Sequence, residues 1–392
     1  MGETKQPSNG AAEAWNMRLI GHSDLNSYGD GMQLMLKNPF LFVGHLGRMG
    51  TSILDVSDPT SPQVVRQLKN PPNTHTHKVQ IAGDILIINY EQHGSGGIPE
   101  RAGIQILDIS DPPNPREIGF FSTGGKGVHR VWYTGGDYVY MSATPEGFSD
   151  RIMMIVDMSE PTAPREVSRW WIPGMWTAGG EQPTWPPELR YSAHHPVVWG
   201  DRAYLGFWDA GMIILDISDP ANPKQISRTS WAPEGGGCTH TGLPLPNRDL
   251  LIVTDEATKP ECQETPRRVR VLDISDETQP RVISMFPEPQ GDFCRRGLRF
   301  GPHNVHENRP DSLISDQVIY VTYFNAGLRV VDISQPEAPK EIAYYIPRIP
   351  EGQKAIQTND VFVAGNGLIY ISDRINGGID VLELTHGVPS FS

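Results

Sequence analysis

Cysteine is nearly missing from this 392-residue chain, which has only Cys238, Cys262 and Cys294. Three residues at these spacings make neither a paired metal-binding motif nor an even disulfide framework. Each is therefore read as an ordinary thiol, with Cys238 two residues before His240. Charge is sparse as well: Asp, Glu, Lys and Arg make up 20% of the residues, and the balance is −13. An acidic balance of that size excludes nucleic acid and an anionic membrane as main partners, leaving a small molecule as the expected one. No apolar run reaches the length of a membrane-spanning helix, and Met1 to Ala14 is polar with no apolar core of the kind a leader carries. The expectation is a cytoplasmic chain whose residues 1–14 are disordered. Also absent are a phosphate-binding glycine loop, a Gly-x-Ser-x-Gly elbow, a His-Glu-x-x-His pair and a dinucleotide fingerprint.

Glycine and proline, by contrast, are plentiful at 40 and 35 residues, spread evenly along the chain. That distribution predicts many short strands joined by tight turns. The strands repeat. Ile53-Leu54-Asp55-Val56 recurs as Ile106-Leu107-Asp108-Ile109, Ile155-Val156-Asp157-Met158, Ile214-Leu215-Asp216-Ile217, Val271-Leu272-Asp273-Ile274, Val330-Val331-Asp332-Ile333 and Val381-Leu382-Glu383-Leu384. The acids are 49 to 59 residues apart, and six of the seven runs lead into Ser-Asp-Pro or a close variant. Each unit reads as a four-stranded antiparallel sheet, reversed by an Asx-capped turn. One such sheet cannot bury both its faces, but radial packing of neighbours does so. The expected fold is all-β: a single seven-bladed β-propeller over residues 15–392. The seventh unit lacks an outer strand, and Met17-Arg18-Leu19-Ile20-Gly21 matches the outer strand Pro115-Arg116-Glu117-Ile118-Gly119. The chain start is thus expected to complete the last blade and close the ring.

These Leu/Ile-x-Leu-Asp-Ile-Ser-Asp-Pro repeats resemble the LVIVD-repeat family of propellers, and more loosely the selenium-binding protein (methanethiol oxidase) propellers. The resemblance covers nearly the whole chain and speaks to fold; chemistry has to be argued from the site.

Aligned on the innermost strand, the units begin at His77, His129, His195, His240 and His303, with Asn359 in the seventh and Asp30-Gly31-Met32 in the first. Five of seven equivalent positions are histidine in a chain with 12 in all, and strands have no need of histidine to form. Five imidazoles at one depth of a ring predict a metal on its axis, held by His77, His129, His195, His240 and His303. Imidazole suits Fe, Cu and Zn, and a nitrogen-rich set with few carboxylates places Fe(II) slightly ahead. Capping of each strand by its own histidine is the plainer alternative.

His75, His194 and His306 crowd the same strand starts and are candidate orienting groups or proton shuttles. His75 shares a strand face with His77, and His194 is expected to face away from His195. The second strands end on the same face at Arg48, Glu91, Glu146, Asp209, Glu256, Asn325 and Asp373-Arg374. Glu91 and Glu256 are the preferred catalytic acids because each follows an apolar strand. The segment Trp170 to Pro187 is read as a lid over the axis entrance, and Arg295, Arg296 and Arg299 as possible holders of a substrate carboxylate. Three functions fit: a metal-dependent oxidoreductase or oxygenase acting on a small, partly apolar organic substrate; a lyase, hydratase or hydrolase using the metal as Lewis acid with a Glu base; or a non-enzymatic interaction propeller.

Overall fold

In the computed structural model, residues 11–47, 50–94 and 97–385 are described. Arg48 and residues 1–10 lie outside them. Nearly all regular structure is antiparallel strand, with three short 3-10 turns at Thr177–Gly179, Pro246–Arg248 and Phe293–Arg295.

The repeats become four-stranded sheets. The first runs Gly31–Lys37, Phe40–His45, Thr51–Asp55 and Gln63–Leu68; the fourth runs Pro196–Trp199, Arg202–Gly206, Met212–Asp216 and Lys224–Thr229. The fifth has the same order, and the second and third are joined into one larger sheet through the pairing of Gly127 with Glu91. In six units the acid at the end of the third strand makes the turn that its sequence predicts. The Oδ1 atoms of Asp55, Asp108, Asp157, Asp216, Asp273 and Asp332 accept the N–H two residues on, at 2.8–2.9 Å. Immediately before that acid, six third strands carry a register shift against the outer strand. Such a bulge increases local twist.

The N-terminal strand Met17–Ser23 pairs with Ile379–Leu384 and so adds the fourth strand to the last sheet. A bond of 2.7 Å between His22 Nδ1 and Asp380 Oδ1 ties the two strands side to side. One feature was not anticipated. Glu13–Trp15, of which Glu13 and Ala14 were expected to be disordered, forms a strand on Tyr344–Ile346, the outer edge of the sixth sheet. That sheet is regular only from its second strand outwards, and its inner strand is reduced to the bridge between Val305 and Val321.

Apolar layers separate neighbouring sheets, built from third and second strands that are buried on both faces. At the inner end the second strand of one unit touches the first strand of the next. Asn89 Nδ2 donates to the Val128 carbonyl at 2.7 Å, Ser142 Oγ to His194 at 2.6 Å, and Ser372 Oγ to Met32 at 2.5 Å. Gly44 and Gly206 occupy the corresponding positions where the following unit comes closest. A Cβ there would sit 2.7 Å from the His77 carbonyl oxygen and 2.4 Å from that of His240. The contact from Ser372 to Met32 joins the last unit to the first.

The cysteine reading needs correction. Cys262 and Cys294 form a disulfide, while Cys238 remains a buried thiol. Folding brings together two loops that are 32 residues apart in sequence, a proximity that spacing alone cannot reveal. Disulfides persist in oxidising compartments, so the pairing weighs against the cytoplasmic expectation. Among the described residues no helix is long and apolar enough to cross a membrane.

Candidate metal centre

The inner strands deliver histidines to one cavity of about 320 Å³. His75, His77, His129, His194, His240 and His303 line it in an unbroken arc. Successive ring centroids are 4.1, 4.9, 4.8, 4.0 and 4.5 Å apart. At His129 and His240 the inner-strand register shifts at the histidine itself. A bulge of this kind re-aims one side chain out of the pleat.

Four of the five expected ligands are in the arc; the fifth is corrected. His195 points away from the cavity, its Nε2 3.4 Å from Glu307 and its ring against Trp132. Its neighbour His194 takes the place in the arc. The N–H of His194 donates to the Gly206 carbonyl, so the strand enters one residue earlier than the aligned units suggested. His306, a candidate shuttle, is structural. Its Nε2 donates to the Leu313 carbonyl at 2.8 Å, its Nδ1 accepts the Val363 N–H at 3.2 Å, and its ring packs on Tyr320 and Phe362.

Both preferred acids are present, each serving two histidines. Glu91 Oε2 lies 2.8 Å from His75 Nε2, 2.8 Å from His129 Nδ1 and 3.9 Å from His77 Nε2. Glu256 lies 4.0 Å from His240 Nε2 and 3.8 Å from His303 Nε2, and Arg299 holds it at 3.0 Å. Two groups result, His75–His77–Glu91 and His194–His240–Glu256, each with ligand atoms within 4.8 Å of one another. His129 Nε2 and His194 Nε2 approach to 3.0 Å between them.

Burial, reinforced by neighbouring cations and imidazoles, holds His77, His194, His240 and His303 well below their ordinary pKa and carries His129 down to about 3. These rings are neutral at physiological pH, the state a metal requires. Burial works against ionisation of Glu91, but its bonds to His129 and His75 dominate and carry the carboxyl well below its usual range.

Besides Arg299, which the sequence pointed to as a carboxylate holder, the arc contains cations that the sequence reading passed over. Lys78 is buried beside His77, its ammonium pushed well down by burial and by Arg130. Arg130, also buried, donates to His240 Nε2 at 3.2 Å and to Asn304 Oδ1. Arg151, Arg190 and Trp208 complete one stretch of wall, Arg299 and Arg374 another. The segment Trp170 to Pro187, expected as a lid, contributes no lining residue. It folds around Glu181, which accepts the N–H groups of Gly174 and Trp176, and it packs on Gly147 and Phe148.

With this geometry in place, comparison with known proteins can be stated. The LVIVD repeat matches residues 29–69, 100–123, 129–170, 192–229 and 313–346. The chain carries LVIVD repeats. No curated protein matches it. A periplasmic gluconolactonase from Pseudomonas aeruginosa superposes with a TM-score of 0.58 at 12% identity, over 88% of this chain and 96% of that one. A protein from Lactobacillus plantarum gives 0.54 at 12%, over 90% and 98%. A hypothetical selenium-binding protein from Sulfolobus tokodaii gives 0.51 at 13%, over 92% of each chain. At these identities the likeness is one of fold. The LVIVD chain is therefore all-β with propeller-like repeats, and its hub holds His/Glu groups suited to a metal.

Proposed function

We propose that this LVIVD chain is a seven-bladed propeller closed by Met17–Ser23, and a metal-dependent enzyme with its metal on the histidine arc. The observation that carries the reading is the Nε2 of His77. It is buried, neutral and without a hydrogen-bond partner among the described residues, and it faces a cavity that five further imidazoles line. A buried ring nitrogen left unpaired costs stability unless something binds there. His77, His75 and Glu91, with His129 adjoining, are the better formed group, because Arg130 already occupies the lone pair of His240.

The donor set fits a divalent Fe, Cu or Zn, with Fe(II) first. When bound, such an iron supplies redox and oxygen chemistry of the kind that oxidises a small, partly apolar substrate. The protein's share is positional. Glu91 fixes the rings of His75 and His129, Arg299 orients Glu256, and Trp208 offers an apolar wall. The second reading, a lyase or hydrolase, draws support from Glu256, which stands among the imidazoles where a general base would serve.

Metal analysis of protein purified without an affinity tag tests the proposal. Near-stoichiometric Fe, Cu or Zn is expected, with most of it lost in His77→Ala. Metal-free protein, or full metal content both in His77→Ala and in a His240→Ala, His303→Ala pair, overturns it. Activity that persists without oxygen selects the lyase or hydrolase reading.

A further inference from the structure

We infer that the hub's substrate is a small organic carboxylate, gripped at the rim by two matched arginine–aromatic clamps. The inference rests on the hub being the active site and names the class of molecule it takes.

The clamps arise from one local motif used twice. Phe207-Trp208-Asp209-Ala210-Gly211 and Tyr323-Phe324-Asn325-Ala326-Gly327 end the second strands of the fourth and sixth units. In each, the second aromatic residue has a left-handed backbone, φ 45° at Trp208 and 43° at Phe324. Bulky side chains rarely adopt that region, and residues held there cluster at functional sites. The same turn bonds hold both. Phe207 donates to the Gly211 carbonyl and Tyr323 to that of Gly327, each at 2.8 Å, and bridges to Thr239 and Thr358 pin the strained residues to the next unit. The outcome is an aromatic ring turned towards the arc. Phe324 stacks on His303 at 4.7 Å, and Trp208 stands 6.4 Å from His194.

Each ring carries two guanidinium groups. Arg190 and Arg151 lie 4.4 and 5.5 Å from the centre of Trp208; Arg299 and Arg374 lie 5.6 and 5.8 Å from that of Phe324. With Lys78, five cationic side chains line the cavity against one lining carboxylate, Glu256. The excess is local, since the chain as a whole carries −13. Part of it has no partner. Arg190 and Arg151 share Asp150, at 2.7 and 3.9 Å, and Arg299 pairs with Glu256, but among the described residues Arg151 Nη2 is buried without a hydrogen bond and Arg374 forms no ion pair. Desolvated cations call for an anion, and the planar fork of arginine matches a carboxylate with two parallel bonds. A cavity of about 320 Å³ admits only a small molecule, and Trp208, Met32 and Leu46 in its wall favour an apolar body attached to the acid.

Isothermal titration with three probes tests this: benzoate, its neutral counterpart benzamide, and inorganic phosphate. Each is titrated into the protein as purified and after EDTA treatment, and into Arg374→Met and Arg151→Met, with folding of the variants checked by circular dichroism. Benzoate is expected to bind at least tenfold more tightly than either other probe, and the preference over benzamide is expected to fall below threefold in Arg374→Met. Equal binding of benzoate and benzamide by the parent overturns the inference without use of any variant. So does a preference that survives in both variants, and phosphate binding as tightly as benzoate overturns the choice of carboxylate. A preference for benzoate in protein that never contains metal sustains the clamps and removes the metal, whereas metal without that preference does the reverse.

Discussion

His306 offers a clean measurement of what the interior of this propeller demands of its imidazoles, because it lies away from the cavity. Its Nδ1 accepts the Val363 N–H and its Nε2 donates to the Leu313 carbonyl. A second proton would set two N–H groups head to head at Nδ1. Burial, with Arg309 nearby, pushes its pKa down from 6.5 to about 4. The sign follows from linkage. Below pH 6.5 the unfolded chain takes up a proton that the folded chain refuses, so this contribution is fully present above 6.5 and is lost as pH falls towards 4. Each unit of pH in that window is worth about 1.4 kcal/mol, so acidification from pH 7 to 5 removes about 2 kcal/mol at this one side chain. The other buried histidines act in the same direction, which makes a difference measurement necessary. Urea unfolding of EDTA-treated protein at pH 7 and pH 5 is compared between the parent and His306→Gln, which keeps a donor for the Leu313 carbonyl. The parent should lose about 2 kcal/mol more than the variant between the two pH values. Equal losses would show that His306 takes its proton in the folded state, and the neutral-interior argument would fail with it.

Two further outcomes follow from the fifth sheet. Asp255 is fully buried and accepts from Arg270 at 2.7 Å, Arg268 at 3.0 Å and Trp231 at 3.0 Å, so Asp255→Ala leaves a buried guanidinium unpaired and should cost about 3–5 kcal/mol. Thermal unfolding should show much of that loss recovered in an Asp255→Leu, Arg270→Met pair; a double variant as unstable as the single one would contradict the pairing argument. Cys262 and Cys294 close a loop of about 33 residues, and replacing both by Ser should lower stability by on the order of 3–4 kcal/mol. An unfolding midpoint that dithiothreitol leaves unchanged would show that the bond contributes nothing.

The repeating framework was legible because its signals are local. An acid two residues before its partner N–H makes a turn without help from the rest of the chain, and six units use it. The fourth strand of the last sheet was legible for a similar reason: Met17–Ser23 carries the pattern of an outer strand, and its pairing with Ile379–Leu384 follows. The phase of the inner strands was not. Side chains alternate with a period of two, so a strand that enters one residue early exchanges the histidine that faces the hub for the one that does not. His194 and His195 are adjacent, and nothing local chooses between them. The choice lies in bonds to Gly206 and Ser142, one unit's second strand and the preceding unit's.

The basic lining of the hub was hidden by a different cause. Of the lining cations only Arg299, close to Arg295 and Arg296, stands in a sequence cluster; Lys78, Arg151, Arg190 and Arg374 are scattered along the chain. An overall charge of −13 points the opposite way, because it averages a surface rich in carboxylates with a hub that is not. Only the folded arrangement gathers the ends of distant strands at one place and reverses the local sign. In a cleft with low-dielectric walls such a reversal focuses the field on the cavity, while the outer surface repels the same anion. A small acid would then be drawn to the histidine arc and to little else on the molecule. Added salt should weaken that attraction, since its reach falls within a Debye length of about 8 Å at physiological ionic strength.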